Sequence, residues 1–229
     1  MPLPKISQPI FSLKIPSTGK TVHYRPFTVR EEKLLMIAQE SKDRKDIINV
    51  YKQLINNCCI DPIDVDSLAS FDLEYFFIAL RAKSVSNIAK VLITDPEDKE
   101  QYEVEVNLDK VEVIQKENVS NNIKLTDTIG VILSYPTFDT LAAADPANID
   151  VFAILRGCIK QIYEGEEVYD AANYTTKELD EFVMSLNKNQ VEMIQQFFES
   201  LPRIVAKAKY VTKAGVVKEL PIEGIDNFF

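Results

Sequence analysis

Phe11-Ser-Leu13-Lys-Ile15 alternates apolar and polar side chains with a period of two, the pattern of a half-buried strand. Pro16-Ser-Thr-Gly19-Lys20 then reads as a turn and Thr21–Tyr24 as the returning strand of a hairpin. Residues 1–10 hold three prolines and should form an extended arm. Pro26 disfavours helical backbone at Arg25, so a helix is expected from near Thr28. Glu31 and Glu32 fall in its first turn, at the positive end of the helix dipole, and Leu34, Leu35, Ile37 and Ala38 form its apolar face. Ser41 or Asp43 can cap a second helix, with Ile47, Val50, Tyr51, Leu54 and Cys58 on one side. Asp61-Pro62 breaks that pattern. A third helix spans about Phe71 to Lys83. Leu73, Phe76, Phe77 and Leu80 are its main stripe, and Tyr75, Ile78 and Ala79 make it apolar almost all round, as in a helix buried on most sides.

The period changes over residues 88–135. Lys90–Thr94, a polar turn at Asp95–Lys99 and Gln101–Val106 make a hairpin. In its second arm Tyr102, Val104 and Val106 face one way and Glu103 and Glu105 the other. Val111–Ile114 and Ile129–Tyr135 read as further strands, and Asn118–Asn122 as a loop. Helices return after Pro136. Asp145-Pro146 suits a helix start, Val151, Leu155, Cys158 and Ile162 stripe that helix, and Gly165 reads as its stop. Thr175–Glu178 is a capping-box pattern before Leu179, Phe182, Val183 and Leu186, and Asn187–Gln190 repeats it before Val191, Ile194, Phe198 and Leu201. Ile204–Leu220 should form a hairpin turning at Ala214-Gly215. The expected fold is therefore α+β: a helical core with an N-terminal β-hairpin, a central antiparallel β insert and a C-terminal β-hairpin. The whole chain, 1–229, reads as a single domain, with 86–135 a possible β subdomain inserted between helical parts.

Charge narrows the function. Asp plus Glu number 35 against 26 Lys plus Arg, a net charge of −9. A nucleic-acid binder needs a basic patch, and no basic run is present. Lys207, Lys209 and Lys213 are spread along an expected strand and read as its solvated face. Three cysteines, Cys58, Cys59 and Cys158, make a poor disulfide framework and suit a reducing compartment. Met1–Ser7 lacks the apolar centre of a signal peptide, and no apolar run approaches the ~20 residues that span a bilayer. A cytosolic protein, or one assembled in the cytosol, is expected.

The catalytic inventory is thin. His23 is the only histidine, so any Ser-His-Asp or Cys-His arrangement would have to use it; a hydrogen-bonded or exposed strand histidine is the ordinary reading. One His and three Cys do not supply a zinc site. Asp95, Glu97, Asp98 and Glu100 lack the spacing and glycine of a calcium loop and read as a solvated turn. Asp61, Asp64 and Asp66 read as helix caps and dipole partners rather than as a metal cluster. Gly19-Lys20 lacks the rest of a phosphate loop. No catalytic, cofactor-binding or metal-ligating residue is assigned, and no cofactor is expected. A wall-degrading hydrolase with two distant carboxylates is the enzymatic reading that this inventory disfavours. The tail differs. Ile225, Phe228 and Phe229 put three large apolar side chains at a terminus, which either fold back on the chain's own core or insert into a partner's groove.

MPLPKI at the start, YRPFTVREEKLLMIAQES at Tyr24–Ser41 and the third helix closing with Leu80-Arg-Ala-Lys-Ser-Val85 resemble the baseplate hub protein family of T-even-type contractile-tailed bacteriophages. The likeness runs in order along residues 1–115 and is strongest at Tyr24–Glu40 and Phe76–Val85; the C-terminal half matches in pattern more than in motif. Some relatives carry cysteine pairs in the hairpin after the Arg-Ala-Lys-Ser helix, a zinc-knuckle-like turn. Here Thr94–Glu100 holds no cysteine. The resemblance implies a non-enzymatic tail protein, a component or assembly factor of the baseplate hub acting through protein–protein contacts. An alternative is a tail assembly chaperone for the tape-measure protein. Implied partners are other phage tail or baseplate hub proteins, with no nucleic acid and no membrane span. The implied setting is host cytoplasm during assembly and the virion tail baseplate. Ile225, Phe228 and Phe229 are the expected partner-binding residues.

Overall fold

Eleven strands and seven α-helices follow one another in a computed structural model that describes residues 6–40, 44–116, 119–142 and 151–224. In chain order they are β1 (Phe11–Lys14), β2 (Thr21–Tyr24), α1 (Val29–Glu40), α2 (Arg44–Cys58), α3 (Ser70–Ser84), β3 (Ile88–Thr94), β4 (Gln101–Asn107) and β5 (Glu112–Ile114). Then come β6 (Asn122–Lys124), β7 (Ile129–Leu133), α4 (Phe138–Ala142), α5 (Val151–Cys158), β8 (Ile159–Glu164), β9 (Glu167–Asp170), α6 (Thr176–Ser185) and α7 (Lys188–Glu199). β10 (Arg203–Val211) and β11 (Val217–Glu223) end the series. The fold is α+β, with small antiparallel sheets and a hairpin near each end. Two compact units divide the chain: residues 1–114 with 203–229, and residues 115–202. The 86–135 stretch is shared, since β3–β5 lie in the first unit and β6–β7 in the second.

The first unit is built on α3. Leu73, Phe76, Phe77, Ile78 and Leu80 are all fully buried, as expected of a helix apolar almost all round. Tyr24 of β2 meets Phe76 edge-on at 5.4 Å, and Tyr51 of α2 meets Phe77 at 4.9 Å. β1 and β2 pair Leu13 with Val22, and Gly19 (φ 68°) turns the chain between them. That turn is fixed to α3 by Asp72, whose carboxylate accepts the backbone N–H (2.8 Å) and the hydroxyl of Ser17. β3 and β4 pair Val91 with Val104. β5, β10 and β11 form a three-stranded sheet with β10 central. β11 is an edge strand there, a place that tolerates the missing N–H of Pro221.

The second unit packs the sheet β6-β7-β8-β9 against helices. Its core is Leu125, Val131, Leu133, Leu155, Ile159, Val183, Ile194 and Phe197. Both expected capping boxes form: Thr175 with Glu178, and Asn187 with Gln190.

Several expectations are corrected. The helix through Ile162 ends at Cys158, and Ile159–Glu164 is strand β8. Gly165 (φ 60°) turns a β8–β9 hairpin instead of ending a helix. Pairing with Ile129–Leu133 decides the matter, because β-branched Ile159 and Ile162 fit a pleated sheet well. Asn122, read as loop, starts β6. Val151, read on the buried stripe of its helix, is exposed. Ile37, expected on the apolar face of α1, is 64% exposed, while Glu31 is 3% exposed. The proposed caps Ser41, Asp43 and Asp145-Pro146 lie outside the described residues.

Candidate functional site

The polar clusters singled out in the sequence go to separate structural tasks. Asp61 accepts from His23, at 2.7 Å from its N–H and 2.8 Å from Nδ1. These hydrogen bonds hold its carboxyl below the ordinary carboxylate range. Asp66 pairs with Lys52 at 2.9 Å. Neither aspartate caps α3, whose N-cap is Ala69 with no side-chain bond. Among the described residues no group of three or more His, Cys, Asp or Glu could hold a metal ion. Burial pushes the Cys158 thiol up to about 12 and, against an opposing Arg25, that of Cys58 up to about 11, away from thiolate reactivity.

The turn read as solvated is anchored. Asp95 is fully buried, and one of its oxygens accepts from Tyr210 Oη at 2.6 Å and Lys218 Nζ at 2.8 Å. The other accepts from the N–H groups of Glu97 and Asp98 at 2.7 and 3.2 Å. The hydrogen bond to Lys218, then that to Tyr210, outweighs burial and holds its carboxyl far below the usual range. Burial and that same carboxylate push Tyr210 up to about 12. Lys207, Lys209 and Lys213 do lie on the exposed face of their hairpin, yet each meets a carboxylate: Glu112 at 3.2 Å, Glu219 at 3.4 Å and Glu100 at 2.7 Å. Three lysines already paired do not make a phosphate-tracking stripe.

The corner between β2 and α1 is a locked joint. Arg25 reaches Glu31 with Nη2–Oε1 at 3.0 Å, and also donates to the carbonyls of Pro26 (2.9 Å) and Asn57 (3.0 Å). Glu31 Oε2 accepts from the N–H (2.8 Å) and the hydroxyl (2.6 Å) of Thr28, half of a capping box. Burial alone would raise the Glu31 pKa; the bonds from Arg25 and Thr28 overcome it and bring it to about 2.

Beside this joint lies a groove. Phe27, Glu32, Leu35 and Met36 line it from the corner and α1, and Phe77, Arg81 and Val85 from α3 and its end. Met36 and Val85 are exposed, at 61% and 62%. Val29 and Ile37 on α1 add further exposed apolar surface. Arg81 Nη1 is buried with no hydrogen-bond partner, and burial lowers the guanidinium's pKa from its ordinary value. The groove holds about 170 Å³, room for a side chain rather than a small-molecule ligand. Its walls come from Tyr24–Glu40 and Phe76–Val85, the two stretches on which the sequence resemblance is strongest. Sequence reasoning missed it; the one signal was Arg81, set one turn after Phe77 on a largely apolar helix.

The second unit has a larger apolar cavity of about 410 Å³ between its sheet and α6. Ile129, Ile162, Leu179 and Phe182 form its floor and walls, with Tyr169 and Tyr174 beside them at 6.3 Å edge to face. The expected contact residues Ile225, Phe228 and Phe229 lie outside the described residues.

A model of the family described as T4 bacteriophage base plate protein matches residues 8–229. The chain belongs to that family. No curated protein and no solved structure gives a significant match. The match spans both compact units, so the apolar groove and the larger cavity are both parts of a T4-type baseplate protein. Among the described residues of this baseplate protein, no helix is long and apolar enough to cross a membrane.

Proposed function

We propose that this baseplate protein is a non-enzymatic component or assembly factor of the baseplate hub, working through contacts with other tail or hub proteins. It would act in host cytoplasm while the tail is built and reside in the baseplate of the virion. The observation that carries this reading is the exposed apolar surface of Val29, Met36, Ile37 and Val85 in a chain of the baseplate family. Of these, Met36 and Val85 line the groove, and exposed apolar surface at a groove marks a protein contact more readily than catalysis. Ile225, Phe228 and Phe229 are proposed as a second contact element. Quantitative mass spectrometry of purified tails separates the two roles. A fixed stoichiometry identifies a component, and presence in hub intermediates with absence from finished tails identifies an assembly factor.

A second reading, a chaperone for the tape-measure protein, is favoured by the 410 Å³ cavity of the second unit, which could shelter apolar side chains of a long helical client. Co-expression tests it. The tape-measure protein should stay soluble only with this chain present, and equal solubility without it removes the idea.

A further inference from the structure

We infer that the cavity beside α6 receives a segment of another tail protein that carries an arginine or lysine, whose alkyl stem lies against the cavity's aromatic rings and whose charge meets Glu164 and Glu178. The inference rests on the protein-contact reading above and specifies the chemistry of the partner. Tyr169, Tyr174 and Phe182 give the cavity three aromatic rings, and Glu164 and Glu178 line it as exposed residues, open to an incoming group. No lysine or arginine lines it. Arg156 is taken by Asp180 at 2.5 Å and Lys177 lies 3.8 Å from Glu181, so among the described residues neither Glu164 nor Glu178 meets a cation. The surrounding chain is acidic: from Glu164 to Ser185, seven acidic residues stand against Lys177 alone. An occupant that covers the apolar wall also takes water from these two carboxylates. That loss is unfavourable unless the occupant brings a positive charge. Aromatic rings attract a cation over their faces, and apolar surface accommodates the stem of Arg or Lys while its charged head stays at the polar rim. An anion is disfavoured twice. The carboxylates repel it, and the N-terminus of α6, which would otherwise attract one, already holds Glu178, whose Oε2 accepts from the N–H (2.8 Å) and the hydroxyl (2.7 Å) of Thr175. Tyr169 reports the same negative field. Its hydroxyl donates to Glu167 at 2.5 Å, and that bond, burial and the charges of Glu167 and Glu164 push its pKa up to about 12. A space of about 410 Å³ admits the basic side chain together with an apolar neighbour.

Photo-crosslinking in the full chain tests this. A photo-crosslinking residue replaces Tyr174, which is 40% exposed, during infection of host cells, and the captured peptide is identified. The expected peptide comes from another tail protein and is apolar, with Arg or Lys within a few residues of the cross-link. Glu164→Lys should reduce the yield about tenfold or more, because a like charge then faces the incoming cation. Exchanging the partner's basic residue for glutamate in that background should restore it. Glu164 is exposed and pairs with no cation, so the variant should melt within a few degrees of wild type. Should Glu164→Lys fail to fold, Glu164→Gln carries the same test with a smaller loss of yield. Capture of a second copy of this chain, of a peptide lacking a basic residue, of no protein at all, or a yield indifferent to the charge at Glu164 would overturn the proposal. If the chain still enters baseplate intermediates in those cases, the protein-contact reading survives and only the basic partner falls. If it enters none, both fall.

Discussion

Arg25 and Glu31 close the corner between β2 and α1 as a fork, with Nη2–Oε1 at 3.0 Å and Nη1–Oε2 at 3.5 Å. The Glu31 side chain is 4% exposed and that of Arg25 28%. Pro26 alone bends the chain; the ion pair and Thr28 set the direction in which α1 leaves. Removing one partner of such a pair strands the other. Glu31→Ala should therefore cost about 3 kcal/mol or more in urea denaturation. Replacing both residues with apolar ones of similar size should cost less than Glu31→Ala alone.

The same carboxyl predicts an acid response. Its folded pKa of about 2 lies below the ordinary 4.5. A depressed carboxyl contributes stability that is fully present above 4.5 and is lost as pH falls towards 2. Asp95, Asp61, Asp109 and Glu178 are shifted in the same direction. Wild type should thus lose stability steeply below about pH 4.5. The difference between wild type and Glu31→Gln should shrink through that window, and a difference constant from pH 6 to pH 2 would refute the assignment.

Asp95 joins the tips of two hairpins through Tyr210 and Lys218. Asp95→Asn keeps the shape and loses the charge that both donors face. Amide exchange at Glu97 and Asp98, whose N–H groups point at this carboxylate, should quicken in the variant before the rest of the unit opens. Exchange unchanged at those two amides would show that the charge does not hold the turn.

Gly130 is required by a neighbour. An added Cβ would overlap the hydroxyl of Tyr163 and stand 2.8 Å from the carbonyl oxygen of Ile123. Gly130→Ala should destabilise the second unit by about 1–3 kcal/mol, and Tyr163→Val in the same chain should recover part of that loss.

What could be read from the sequence had a local cause. The burial of α3 follows from its apolar circumference, and both capping boxes follow from four-residue patterns. The first hairpin follows from alternation around a glycine turn. What was missed depends on distant partners. Val151, Leu155, Cys158 and Ile162 are spaced as on a helix, but β7 captures Ile159–Glu164 as a strand. Glu31 reads as a dipole partner until Arg25 folds over it, and Ile37 reads as core until α1 turns it outward. Asp95 resembles any turn aspartate, because Tyr210 and Lys218 lie more than a hundred residues away in the chain. The Arg81 groove is of the same kind, since two stretches some fifty residues apart make its walls. Two of the three motifs that carried the resemblance, Tyr24–Ser41 and Leu80–Val85, supply residues to that groove.

The central claim is that the chain works by joining a baseplate. Sedimentation of infected-cell lysates through a gradient, followed by quantitative mass spectrometry of each fraction, tests it most directly. The chain should migrate with baseplate or hub intermediates in constant ratio to at least one other tail protein. Sedimentation only as a free small protein, at every time after infection, would contradict the account.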